Sequence, residues 1–66
     1  MEAHTDLERA LSRLPPEFRM VLLLAEVEGM SLEEVAGVME CPVGTVKSRI
    51  FRGKERLREL LKDYRQ

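Results

Sequence analysis

Tryptophan is absent from this 66-residue chain, and two phenylalanines and one tyrosine are all its aromatic residues. Phe18, Phe51 and Tyr64 are too few and too scattered for the stacking platform that holds single-stranded nucleic acid. The one cysteine, Cys41, excludes an intrachain disulfide, and no CxxC or Cys/His spacing suits zinc. Its thiol fits a small packing or capping residue in a reducing, intracellular setting. The one histidine, His4, belongs to an N-terminal tail, Met1–His4, that reads as a frayed end. There is no glycine-rich phosphate loop, and no carboxylate pair with a plausible cleft. An enzyme is therefore not expected, and neither is a metal or cofactor. The apolar stretch MVLLLAEV falls far short of the roughly 18–20 residues of a membrane span, and no signal-peptide pattern opens the chain. Membrane insertion is not expected. A chain of this length has room for one small domain, 1–66 with its core over about 5–62, whose hydrophobic core typically supplies about 3–5 kcal/mol.

What the chain does have is segregated charge. Its formal net charge is only −1, yet residues 1–44 carry three cations against nine acids. Residues 45–66 carry eight cations against three acids, Glu55, Glu59 and Asp63. A charge run of this kind is either a solvated helix face or the footprint of a polyanion.

The local signals describe helices throughout. Thr5, followed by Asp6 and Glu8, reads as an N-cap with acids in the first turn, where the helix dipole favours them. Leu7, Leu11 and Leu14 recur at helical spacing, so a first helix is predicted over about 5–13. Pro15 and Pro16 end it and open a second helix that runs to about Glu28, with Gly29 as its C′ residue. That helix is apolar on nearly every side. Phe18, Val21, Leu22 and Ala25 form one stripe, while Met20, Leu23, Leu24 and Val27 fall partly outside it. So wide a girdle means either a central helix or a surface that docks something, and Leu23 and Leu24 are the candidates for docking. Ser31 and Glu34 form a capping box before Leu32, Val35, Ala36 and Met39, which predicts a short third helix over about 31–40. Pro42 opens a last helix to about Tyr64, roughly 33 Å long at 1.5 Å per residue. The expected fold class is all-α, a four-helix domain with a long C-terminal recognition helix.

A short helix, a tight turn and a longer helix make a helix-turn-helix. Ala36 is small enough for the close approach that the pair requires. Glu40 or Cys41 stands where many such turns use glycine, so either mild backbone strain at the bend or a turn of another type is expected. At about 100° per residue, Val46, Ile50, Gly53 and Leu57 form a stripe to bury, opposite Lys47, Ser48, Phe51, Arg52 and Glu55. A hydroxyl, an aromatic ring and an arginine fork on one exposed face suit base edges in a major groove. Phe51 has a second reading as an edge-of-core residue, and Arg49 as a snorkelling or acid-paired side chain. Glu55 can accept from a cytosine amino group or simply support Arg58 along the helix.

The order and spacing of LPPEFR, GMSLEEVAGVM and CPVGTVKSRIFRGKERL resemble region 4 of bacterial sigma factors, in particular the extracytoplasmic-function class related to sigma-E. The likeness spans about residues 6–61. The family's domain that melts downstream promoter DNA is missing, so the chain looks like a C-terminal fragment of a longer factor. The resemblance implies a cytoplasmic domain that binds the minus-35 element of double-stranded promoter DNA while docked on the β flap of RNA polymerase. It also implies an anti-sigma protein as a partner. Carried onto this chain, Ser48, Phe51 and Arg52 fall where base-reading side chains sit. Pro42, Val43, Gly44 and Thr45 fall at the N-terminus of the recognition helix, where open amides and the positive helix end also attract phosphate. Gly44 lets the DNA backbone approach closely, and Lys47, Arg49 and Lys54 would flank the groove as phosphate contacts. The competing readings are a protein-docking module held by an anti-sigma protein, or a helix-turn-helix output domain of the response-regulator or quorum-sensing type. LPPEFR and SRIFRGKERL fit the sigma pattern better than the latter.

Overall fold

The computed structural model describes residues 5–64, with the side chain of Tyr64 left out. The reading of Met1–His4 as a frayed end therefore lies outside the described residues. Four helices build the fold: α1, Asp6–Ser12; α2, Pro16–Leu22; α3, Leu32–Met39; and α4, Val43–Tyr64. No strand occurs among the described residues.

Each helix starts where local chemistry supplies its first acceptor. The Glu8 amide donates to Thr5 Oγ1 at 3.1 Å, and the Thr5 amide donates to Glu8 Oε1 at 2.9 Å. Ser31 and Glu34 repeat this reciprocal box at 2.8 and 3.1 Å ahead of α3. Each box satisfies two amides that a helix start leaves open. Pro15 and Pro42 have no capping side chain and work through their carbonyls. Pro15 accepts from Phe18 and Arg19, and Pro42 from Thr45 and Val46, all at 3.0–3.2 Å. The α1–α2 corner is tied by Arg19, whose Nη1 donates to the carbonyls of Ser12 at 3.2 Å and Leu14 at 3.5 Å.

The second helix departs from the expected continuous α-helix to Glu28. From Leu23 to Val27 it widens into a π-helical turn, closed by the Glu28 amide donating to the Leu23 carbonyl at 2.9 Å. Met30 then donates to Leu24 at 3.0 Å, and Gly29 takes φ 72°, the left-handed conformation glycine adopts without a Cβ penalty. The wider turn divides the apolar girdle. Leu24 and Ala25 pack against the core, Leu23 faces α1 and α4, and Val27 is left 67% exposed.

That core is small. Val21, Val35, Ala36 and Val46 form its buried centre, with Ile50, Leu32 and Met39 partly buried against it. Ala10, Leu14 and Leu22 are the other buried apolar residues. In α1 the residue buried deepest is Ala10, whereas Leu7 of the expected leucine stripe is 48% exposed. Ala36 is buried where α3 meets the core, as the helix-turn-helix requires. The bend follows at Glu40, which takes φ 55° and ψ 51°, a left-handed conformation with a real cost for a side-chain-bearing residue. Of the α4 stripe, Val46 and Gly53 are buried, and Ile50 and Leu57 only partly so. Gly53 lies where α4 crosses α2, and a Cβ there would sit 3.2 Å from Leu22 Cδ1 and 3.4 Å from Phe18 Cβ. No helix among the described residues is long and apolar enough to cross a membrane.

Candidate nucleic-acid interface

α4 buries one side and leaves the opposite side proud of the domain. With Val46 and Gly53 turned inward, the 3.6-residue repeat turns Ser48, Phe51, Arg52 and Glu55 outward, and all four are exposed. Phe51 is 62% exposed, so its ring is not an edge-of-core residue. The outward side runs as a ridge between two hollows. On one flank, Gly44, Thr45, Ser48, Arg49 and Arg52 border a concavity of about 670 Å³ closed by Glu17 and Phe18 of α2. On the other, Lys47, Ile50, Phe51 and Lys54 border one of about 530 Å³ closed by the π turn and the start of α3. A helix standing free on both flanks can enter a groove about 12 Å wide, the width of the DNA major groove.

The open end of the ridge is also suited to phosphate. Thr45 and Val46 donate back to Pro42, which leaves the Val43 and Gly44 amides at the open turn of α4. Pro42 and Gly44 are exposed, Val43 and Thr45 half-buried, and a Cβ on Gly44 would meet nothing within 4 Å. The positive end of the helix dipole adds to the attraction these amides exert on an anion.

Charge along α4 is not uniform in its availability. Lys47, Arg49 and Arg52 form no ion pair among the described residues, and Lys47 and Arg52 are exposed while Arg49 is half-buried. Further along, three of the four described cations are engaged by the protein itself, while Arg58 is exposed and makes no ion pair among the described residues. Lys54 Nζ lies 3.2 Å from Glu26 Oε2, Arg56 stacks 5.9 Å from the Phe18 ring centroid, and Lys62 lies 3.6 Å from Glu59. Glu55 pairs with neither Arg52 nor Arg58, so the helix-supporting role open to it in the sequence is not the one it adopts. The free positive charge is thus concentrated in the first half of the helix, beside the open amides and the outward hydroxyl of Ser48.

Of the residues expected to meet DNA, Ser48, Phe51 and Arg52 share the ridge, Lys47 and Arg49 border the hollows on its opposite flanks, Pro42, Val43, Gly44 and Thr45 lie at its open end, and Lys54 is held by Glu26. Sequence reasoning missed Glu17, which faces Ser48 and Arg52 across a hollow, and Glu26, which reaches Lys54 from a distant helix. It also missed the task of Arg19 within LPPEFR, which is to cap the end of α1. None of the three carries a local signal, because each acts on a residue of another element. Among the described residues no three His, Cys, Asp or Glu side chains converge to hold a metal, and Cys41 is half-buried against the core.

A family model described as Sigma-70, region 4 matches residues 4–57. The ECF RNA polymerase sigma-E factor of Escherichia coli K12 is 53% identical over 47 residues, which cover 71% of this chain and 25% of that protein. The same figures hold for the ECF RNA polymerase sigma-E factor of Salmonella typhimurium LT2. The ECF RNA polymerase sigma factor SigE of Mycolicibacterium smegmatis is 48% identical over 56 residues, covering 85% of this chain and 22% of that protein. The chain spans about a quarter of the length of the curated relatives it matches.

Proposed function

The chain belongs to the Sigma-70 region 4 family, and from that membership we propose that it is the DNA-binding domain with which an extracytoplasmic-function sigma factor reads the minus-35 promoter element in the cytoplasm. The observation that carries the reading is the ridge itself: Ser48, Phe51 and Arg52 outward, free cations beside them, and the buried stripe behind. In this mechanism the Arg52 fork donates to the O6 and N7 of a guanine, Ser48 hydrogen-bonds a neighbouring base, and Phe51 touches a thymine methyl. Pro42, Val43, Gly44 and Thr45 present the helix end to one phosphate strand. Lys47 and Arg49 neutralise phosphates on either flank, with Lys54 available as a third contact. The excess of acids over residues 1–44 would repel DNA from the rest of the domain and help to limit binding to this one orientation.

The test is a salt-dependent titration of a minus-35 duplex and a scrambled duplex. Arg52→Ala is expected to cost about 1–3 kcal/mol on the specific duplex and little on the scrambled one. Lys47→Ala should weaken both alike and flatten the salt slope by about one unit. Equal losses on both duplexes for Arg52→Ala would make Arg52 a phosphate contact and remove it from the reading set.

A second surface supports docking on RNA polymerase. Leu7, Leu11, Leu22, Leu23, Val27 and Leu57 line an apolar groove of about 220 Å³ between α1, the π turn and α4. It lies away from the outward side of α4, so a helix of the β flap could occupy it while α4 holds DNA, and an anti-sigma protein could compete for it. Leu23 lines this groove, whereas Leu24 packs into the core, so Leu23 is the docking residue of the two. Leu23→Gln, which adds no charge beside Glu26 and Lys54, should abolish binding of a β-flap fragment with the duplex titration unchanged; unaltered flap binding would remove the groove from the interface.

A further inference from the structure

The two lysines on one flank of α4 are in different situations. Lys47 and Lys54 stand two helical turns apart and line the same hollow beside Phe51. Lys47 has no acidic partner among the described residues, whereas Lys54 Nζ lies 3.2 Å from the Glu26 carboxylate. Glu26 projects from the π turn, and the pair it makes with Lys54 is the wall shared by that hollow and the apolar groove. Both side chains are about half exposed, 50% for Lys54 and 53% for Glu26.

We propose that Glu26 is an electrostatic gate on Lys54, competing with a DNA phosphate for the Lys54 ammonium and so setting the affinity of the domain for any duplex below what its basic helix could deliver. The proposal rests on the reading of α4 as the DNA-binding helix and adds a residue to it. A half-exposed pair is weak and screened by salt, so a phosphate arriving along the flank can displace the carboxylate. Until it does, Lys54 releases no counterion and contributes nothing to the salt dependence. Lysine suits the role, since its flexible stem and compact charge can swing between two acceptors where a planar guanidinium fork would favour one geometry. The gate acts on phosphates and not on bases, so it lowers binding to all sequences alike and leaves discrimination to Arg52 and Ser48.

Removal of the carboxylate tests this. Glu26→Gln in the 66-residue chain is expected to raise affinity for both the minus-35 and the scrambled duplex by about two- to fivefold, a size set by the weakness of exposed pairs. The salt slope should change by less than about one unit, since the Lys54 ammonium meets a phosphate in both complexes. Glu26→Ala should do the same, which makes the result independent of the glutamine amide, and thermal melts of both variants verify the fold. The decisive comparison is the Lys54→Gln background, where the gain from Glu26→Gln should vanish. A gain of equal size in that background would show only a repelling carboxylate and overturn the gate, as would no gain at all. Wild-type protein that binds no duplex in a salt-dependent way would instead sink the DNA reading itself, and that result appears before any variant is made.

Discussion

Gly53→Ala asks whether α2 and α4 approach as closely as described, and the answer can be worked from two opposing terms. Inside a helix, alanine is favoured over glycine by up to about 1 kcal/mol, because glycine loses more backbone freedom on folding. Gly37 in α3 provides the reference, since a Cβ added there meets nothing within 4 Å. Gly37→Ala should therefore stabilise by about 0.5–1 kcal/mol. At Gly53 the same methyl group would lie 3.2 Å from Leu22 Cδ1, 3.4 Å from Leu22 Cγ and 3.4 Å from Phe18 Cβ. Leu22 is 3% exposed and can give only slightly, toward the apolar groove it lines. Phe18 Cβ at 3.4 Å is an ordinary van der Waals contact and need not move, so the outcome is set by Leu22 Cδ1, which must yield by a few tenths of an ångström. Overpacking a buried side chain in this way costs about 1–3 kcal/mol, which cancels or exceeds the propensity gain. The two variants should differ by about 1–3 kcal/mol with Gly53→Ala the less stable, and each kcal/mol is about 4–8 °C in Tm for a domain of this size. Thermal and urea melts of both variants beside the parent measure the difference. If Gly53→Ala stabilised as much as Gly37→Ala, the helices would not be in contact at this point and the placement of α4 would be wrong.

Two further outcomes follow from burial and backbone conformation. Val46 is fully buried, so Val46→Ala should cost about 2 kcal/mol, and Ile50→Ala should cost less than a full core truncation because Ile50 is only partly buried against the core. A greater loss at Ile50 than at Val46 in urea melts would move the centre of the core to the other side of α4. Glu40→Gly should stabilise by about 0.5–1 kcal/mol, since φ 55° suits glycine and strains glutamate; a lower Tm for this variant would refute the left-handed bend.

Much of the fold was legible because much of it is decided within one helical turn. The boxes Thr5–Glu8 and Ser31–Glu34, the proline starts and the left-handed Gly29 each involve residues three or four apart or fewer, so the chain itself dictates them. The missing glycine at the bend was legible for the same reason, but that the left-handed conformation falls on Glu40 and not Cys41 was decided by the fold. The division of α4 into a buried and an outward side was legible too, because the 3.6-residue repeat sorts Val46 and Gly53 from Ser48 and Arg52 without reference to the rest of the protein. What the repeat cannot convey is distance between helices. The burial of Ala10 rather than Leu7, the close approach at Gly53 and the widening of the second helix at Leu23–Val27 all depend on how the helices cross. The same holds for charge. Eight cations in the last 22 residues announce a basic helix, but only the folded chain brings Glu26 to Lys54 and the Phe18 ring to Arg56 while leaving Lys47 and Arg52 free. Coulomb and cation–π contacts act over a few ångströms of space, and the fold alone determines which residues share it.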